Sequence, residues 1–154
     1  MEEREVIRKV NLALDLFYEK DAYLLEINVH ERSIAHKFSE YLQLLFPDYN
    51  VDCEYDKHGK YTKTLEGISE CRREDATDRI LPDIVIHERG NDKNNLIVFE
   101  IKSKSDPTPC DIKKLELLTK QTDDFRYYYG IFIKFNNQKD ECGIMLFVDG
   151  KIKR

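Results

Sequence analysis

Two apolar runs, Ile84-Val85-Ile86 and Leu96-Ile97-Val98-Phe99, flank the stretch Arg89-Gly90-Asn91-Asp92-Lys93-Asn94-Asn95. β-Branched and aromatic residues favour the pleated strand, and Gly, Asn and Asp supply the backbone freedom a turn needs. The pair therefore reads as an antiparallel hairpin. Everything else in the chain is placed relative to it.

Upstream, Val6, Ile7, Val10, Leu14 and Phe17 recur at helical spacing among charges, which predicts an amphipathic helix over residues 2–20. Residues 23–29 read as a short extended piece. Ile34, Phe38, Tyr41, Leu42 and Leu45 restore the helical period from Glu31 to Phe46, and Pro47 stops it. Tyr49 to Tyr55 alternates like a strand, whereas residues 56–80 are polar, hold Gly59 and Gly67, and read as a long loop with room for one helical turn. Beyond Pro107 and Pro109, residues 111–120 carry Ile112, Leu115 and Leu118 on one helical face, and two further strands are expected over 127–135 and 143–148. The order ααβββαββ predicts one α/β domain spanning residues 1–154, with a mixed central sheet of four to five strands flanked by helices.

Composition narrows the function classes. The 154 residues are 41% hydrophobic and 36% charged, enough for a core beneath a well-solvated surface, and the net charge is −5. A chain held to duplex DNA by bulk electrostatics would be basic, so any nucleic-acid contact has to come from a local patch. No apolar run approaches a membrane span, and the opening MEEREVIRKV is charged from its second residue. These features lead us to expect a cytoplasmic protein. Cys53, Cys71, Cys110 and Cys142 show no C-x-x-C spacing and read as buried or free thiols.

Polar residues interrupt the hairpin at one end. Asp83 opens the first strand behind Pro82, and Glu100 and Lys102 close the second, two residues apart and so on one sheet face. In an antiparallel hairpin the start of one strand lies beside the end of the other. If the pairing runs in odd register, Asp83 and Glu100 share a face as well. Two carboxylates about 4 Å apart repel by a few kcal/mol at an effective surface dielectric. A hard divalent cation removes that repulsion and prefers carboxylate oxygen. It can polarise a phosphoryl oxygen and acidify a bound water, while Lys102 orients that water and offsets charge. The plainer reading is a cross-strand salt bridge at the rim of a sheet.

Pro82-Asp83 followed by Glu100-Ile101-Lys102 resembles the PD-(D/E)XK nuclease superfamily, the restriction-endonuclease-like fold. The resemblance covers roughly residues 30–135, since the helix–strand–hairpin–helix–strand order matches too. It implies that Asp83, Glu100 and the Ile101 carbonyl ligate Mg²⁺ or Mn²⁺, and that Lys102 assists the attacking water. Many relatives add a glutamate from the preceding helix, for which Glu31 is the candidate. With Asn28 three residues earlier, Glu31 could instead be the far half of a capping box. Glu54 faces either the same cleft or solvent. His87 shares a strand face with Asp83 and is either a neighbour of the site or a packing residue.

For phosphate contact, Lys57, Lys60 and Lys63 occur with Tyr61 in an acid-free stretch, and Arg72, Arg73 and Arg79 follow among acids. Lys104, Lys113 and Lys114 lie just after the second hairpin strand, where they border the cleft or simply solvate the surface. Tyr127, Tyr128 and Tyr129 either stack on a base or pack inside. The expected protein is a metal-dependent nuclease acting on DNA, with a homodimer or partner protein supplying specificity. Its rivals are a catalytically inactive nucleic-acid- or protein-binding module on the same fold, and a sheet domain whose trio is a salt bridge.

Overall fold

In a computed structural model, which describes residues 1–58, 61–62, 71 and 80–153, the protein is an α/β structure. A central six-stranded mixed sheet has helices on both faces.

The chain begins with α1 (Glu3–Lys20), whose buried Val6, Val10, Ala13, Leu14 and Phe17 fall three or four residues apart and form one apolar stripe. Residues 23–29, expected to be extended, instead contain the short helix α2 (Tyr23–Glu26). The helix closes because Asn28 adopts φ 53, the Asn28 N–H reaches Leu25 O and the Val29 N–H reaches Leu24 O. This is a left-handed helix stop, which an Asn tolerates, and it buries Leu25. It also sets the start of α3 (Glu31–Leu45), which ends before Pro47 as the sequence predicts.

β1 (Asn50–Cys53) is followed by a small ribbon, β2 (Lys57–His58) paired with β3 (Tyr61–Thr62). The hairpin is present as β4 (Ile84–His87) and β5 (Ile97–Ser103), and α4 (Pro109–Thr119) then crosses to β6 (Tyr129–Phe135), parallel to β5. The sheet continues through β7 (Gly143–Val148) to β8 (Lys151–Lys153), in the order β1-β4-β5-β6-β7-β8. The expected four to five strands therefore become six. β8 is too short and polar to show a period, yet its turn, Asp149-Gly150 with φ 47 and 72, carries the two positive φ values of a tight hairpin.

Strand alternation divides the core. Ile84, Ile86, Ile97, Phe99 and Ile101 pack with α1 and α3, and Val85 and Val98 pack with Leu115 and Leu118 of α4. On the first face Phe38 meets Phe17, Phe99 and Phe135 at ring separations of 6.4, 6.2 and 5.4 Å, in edge-on contact. Such pairs add about 0.5–1.5 kcal/mol each beyond burial. They hold α3 against β5, bringing its first residue, Glu31, to the end of that strand. No helix among the described residues is long and apolar enough to cross a membrane.

The cysteine expectation needs correcting. Cys71 and Cys110 form a disulfide with Cα atoms 5.5 Å apart, and only Cys53 and Cys142 are free. The two partners are 39 residues apart in sequence. Nothing local reveals the pairing, because it depends on Cys71 lying against the first turn of α4.

Candidate active site

The hairpin pairs Ile84 with Phe99, Val85 with Val98 and Ile86 with Ile97. One further step along this odd register sets Asp83 opposite Glu100, on the face that carries Val85 and Val98 and looks toward α4. Asp83 is fixed by its Oδ2, which accepts the Ile101 N–H at 2.7 Å. Burial raises its carboxyl above the usual range, against the lowering effects of the Ile101 N–H and of Lys114 and Lys102.

Glu100 is 2% exposed. Its Oε2 receives the Lys114 ammonium at 2.5 Å, and its Oε1 is buried with no hydrogen-bond partner among the described residues. An unsatisfied buried oxygen costs about 1–3 kcal/mol, more when charged. Burial pushes the Glu100 carboxyl up to about 8, Lys114 works against that rise, and Asp83 adds to it. Burial lowers the Lys114 pKa, but Glu100, Asp83 and Asp111 outweigh it and leave that ammonium more basic than usual.

Lys102 lies between two more carboxylates, 3.8 Å from Glu31 Oε2 and 3.7 Å from Asp111 Oδ2. Asp111 is held by a capping box at the start of α4. Its Oδ2 accepts the Thr108 N–H and hydroxyl at 2.8 Å each, and its own N–H donates to Thr108 Oγ1 at 3.2 Å. Glu31 is not half of a box with Asn28. The N-cap of α3 is His30, without a side-chain cap bond, and the Asn28 N–H is bonded to Leu25 O. Burial raises the Glu31 carboxyl, with Lys102 opposing and Asp83 and Asp111 assisting.

The other candidates separate clearly. Glu54 lies at the cleft. It pairs with Arg32 at 2.8 Å, and with Arg32, Ala35, Cys53 and Asp83 it lines a hollow of about 170 Å³. His87 instead binds Asp52 at 2.9 Å beside Arg89, four residues along β4 from Asp83. Lys104 is committed to the chain itself, donating to Leu25 O at 2.9 Å and Asn28 Oδ1 at 2.6 Å, while Lys113 is exposed on α4. Lys60, Lys63 and Arg79, with Arg72 and Arg73, lie outside the described residues. Tyr127 is wholly buried and Tyr128 half exposed.

The sequence reading did not single out Asp111 or Arg32, and it read Lys114 as either a phosphate contact or a solvated surface charge. One signal was available. Asp111, Lys114, Leu115 and Leu118 follow the helical period, so the two polar residues cap the apolar stripe that faces the sheet.

Among the described residues, no three or more His, Cys, Asp or Glu side chains are grouped so as to hold a metal ion as they stand. Asp83, Glu100 and Glu31 turn their oxygens to the Ile101 N–H, Lys114 and Lys102 respectively. The chemistry of the donor atoms, though not their present arrangement, suits a hard dication. They are all carboxylate and carbonyl oxygens, and Glu100 Oε1 is a buried acceptor that nothing among the described residues satisfies. No protein-family model, curated protein or solved structure matches the chain.

Proposed function

We propose that the protein is a Mg²⁺- or Mn²⁺-dependent nuclease, hydrolysing phosphodiester bonds in DNA on a restriction-endonuclease-like core of the PD-(D/E)XK kind. The observation that carries this reading is the orphaned Oε1 of buried Glu100, on the strand whose Ile101 N–H holds the Asp83 carboxylate beside it. Asp83, Glu100 and the Ile101 carbonyl would hold the cation, with Glu31 reaching it directly or through water. The N–H and C=O of a strand residue point toward the same neighbour. The Ile101 carbonyl therefore faces the side on which its N–H meets Asp83.

A bound Mg²⁺ or Mn²⁺ would supply Lewis acidity and a water of lowered pKa. The chain's own residues do the rest. Lys102, a donor-only group a quarter exposed between Glu31 and Asp111, orients a water and offsets charge on a phosphoryl oxygen. Arg32, with 73% of its side chain exposed at the mouth of the hollow, and Lys113 meet flanking phosphates.

A second reading, a catalytically inactive nucleic-acid- or protein-binding module on the same fold, draws on the 2.5 Å Lys114–Glu100 contact, which already occupies one oxygen of the buried carboxyl group. A plasmid-nicking assay with Mn²⁺ separates the two. The nuclease reading expects cleavage that EDTA abolishes and that an identically prepared Glu100→Gln protein lacks. Absence of cleavage in the wild type, or cleavage that persists in excess EDTA, overturns it.

A further inference from the structure

Lys114 occupies a position that a cation would contest. Its ammonium lies 2.5 Å from Glu100 Oε2 and 3.9 Å from Asp111 Oδ1, which sits one turn back on the same helix. Its side chain is 21% exposed, so the ammonium has a way out of the site. The carboxylates around it are far less free. Asp83 is clamped by the Ile101 N–H, Asp111 by Thr108, and Glu100 is buried on a central strand. A flexible four-carbon stem carrying a point charge can change partner where the carboxylates cannot.

Charge gives the direction of the change. In their ionised forms, which a bound dication would require of Glu100, Glu31, Asp83, Glu100 and Asp111 set four negative charges against the two positive charges of Lys102 and Lys114, which leaves two negative charges uncompensated. A dication would balance them, but beside Glu100 it would repel an ammonium that keeps its present place.

We propose that Lys114 is a resident counter-ion. It holds Glu100 in the cation-free protein and passes to Asp111 when a divalent cation takes the Glu100 carboxylate. The inference rests on the nuclease reading of the site and adds a gate to it. Lys114 competes with the cation for one oxygen, so apparent metal affinity is set by how readily Lys114 leaves. Lys114 is a positioning residue in this scheme, distinct from Lys102.

The test measures Mn²⁺ binding by calorimetry, and thermal unfolding with EDTA and with saturating Mn²⁺, for the wild type, Lys114→Met and Lys114→Arg. Lys114→Met removes the competitor and should bind Mn²⁺ at least tenfold more tightly, while melting lower than the wild type in EDTA but not in Mn²⁺. Lys114→Arg offers Glu100 a two-pronged donor and should bind Mn²⁺ more weakly than the wild type. If Lys114→Met fails to fold in EDTA, the Arg variant still decides, since equal or tighter binding by it overturns the proposal. A merely structural lysine would lower the melting point of Lys114→Met equally in both buffers and leave affinity unchanged. Wild-type binding with no gain in Lys114→Met overturns the counter-ion role alone, and binding by neither overturns the metal site with it. Binding by Lys114→Met where the wild type shows none supports the role and marks the wild-type site as silent.

Discussion

The Asp83 carboxylate accepts the backbone N–H of Ile101 at 2.7 Å, across the end of the β4–β5 pair. This bond ties the first acid of the site to the residue between Glu100 and Lys102. The orientation of Asp83 therefore comes from the backbone of β5 and survives the repulsion of Glu100.

Asp83→Asn should accordingly keep its fold, because an amide oxygen can still accept the Ile101 N–H. On the proposed metal site it should lose Mn²⁺ binding and cleavage together, since an amide would replace the proposed ligand carboxylate. Lys102→Ala should retain Mn²⁺ binding but lose about 10²–10⁴ in cleavage rate, the usual worth of a positioned proton-handling group. Calorimetry and nicking on the same preparations check both. Loss of Mn²⁺ binding in Lys102→Ala would move that lysine from the chemistry to the architecture of the site.

Stability of the cation-free protein should fall as pH rises. The Glu100 carboxyl is pushed from 4.5 to about 8, chiefly by burial. Over that interval the folded state keeps a proton that the unfolded chain has released. The stabilising contribution is then fully present below about pH 4.5 and is lost on approach to about pH 8. In EDTA, the melting temperature of the wild type should drop relative to Glu100→Gln across this window. A difference that stays constant with pH would show that Glu100 does not titrate there.

Gly130 of β6 lies where α4 packs closely on the sheet. A Cβ at this position would lie 2.8 Å from Thr119 Cγ2 and 3.2 Å from Phe147 Cβ. Gly130→Ala should cost about 1–3 kcal/mol in urea unfolding, as expected of overpacking. Adding Thr119→Ser removes the clashing methyl but keeps the hydroxyl that donates to Leu115 O and accepts the Gly150 N–H. The double variant should recover part of the loss. Additive losses would rule out the contact as the cause.

The Cys71–Cys110 bond closes a span of 39 residues. Chain-entropy arguments value a cross-link over such a span at about 2–4 kcal/mol, so reductant should lower the unfolding free energy by that order. Alkylation in denaturant without reductant should label Cys53 and Cys142 alone. Labelling at all four cysteines would show that the bond is absent.

Much of the architecture was legible because it is local. Helical spacing marked α1, α3 and α4, and apolar strand runs around turn residues marked β4 and β5. Antiparallel pairing followed from the hairpin, and with it the meeting of Asp83 and Glu100, since register and alternation are set within some twenty residues. Residues 23–29 read wrongly because the positive φ of Asn28, not the side-chain pattern, decides that turn.

What the sequence determined by itself, then, is one end of the candidate site: Asp83, Glu100 and Lys102 on one sheet face. The other half was decided only by tertiary structure. Which face α4 covers depends on how the chain crosses from β5 to the parallel β6, and that choice alone delivers Lys114 to Glu100 and Asp111 to Lys102. The same docking joins Cys110 to Cys71. Periodicity shows which face of a helix is apolar, but not which polar residues at its rim will meet a buried carboxylate. That is settled by the geometry of packing, where a charge taken out of water must find its partner.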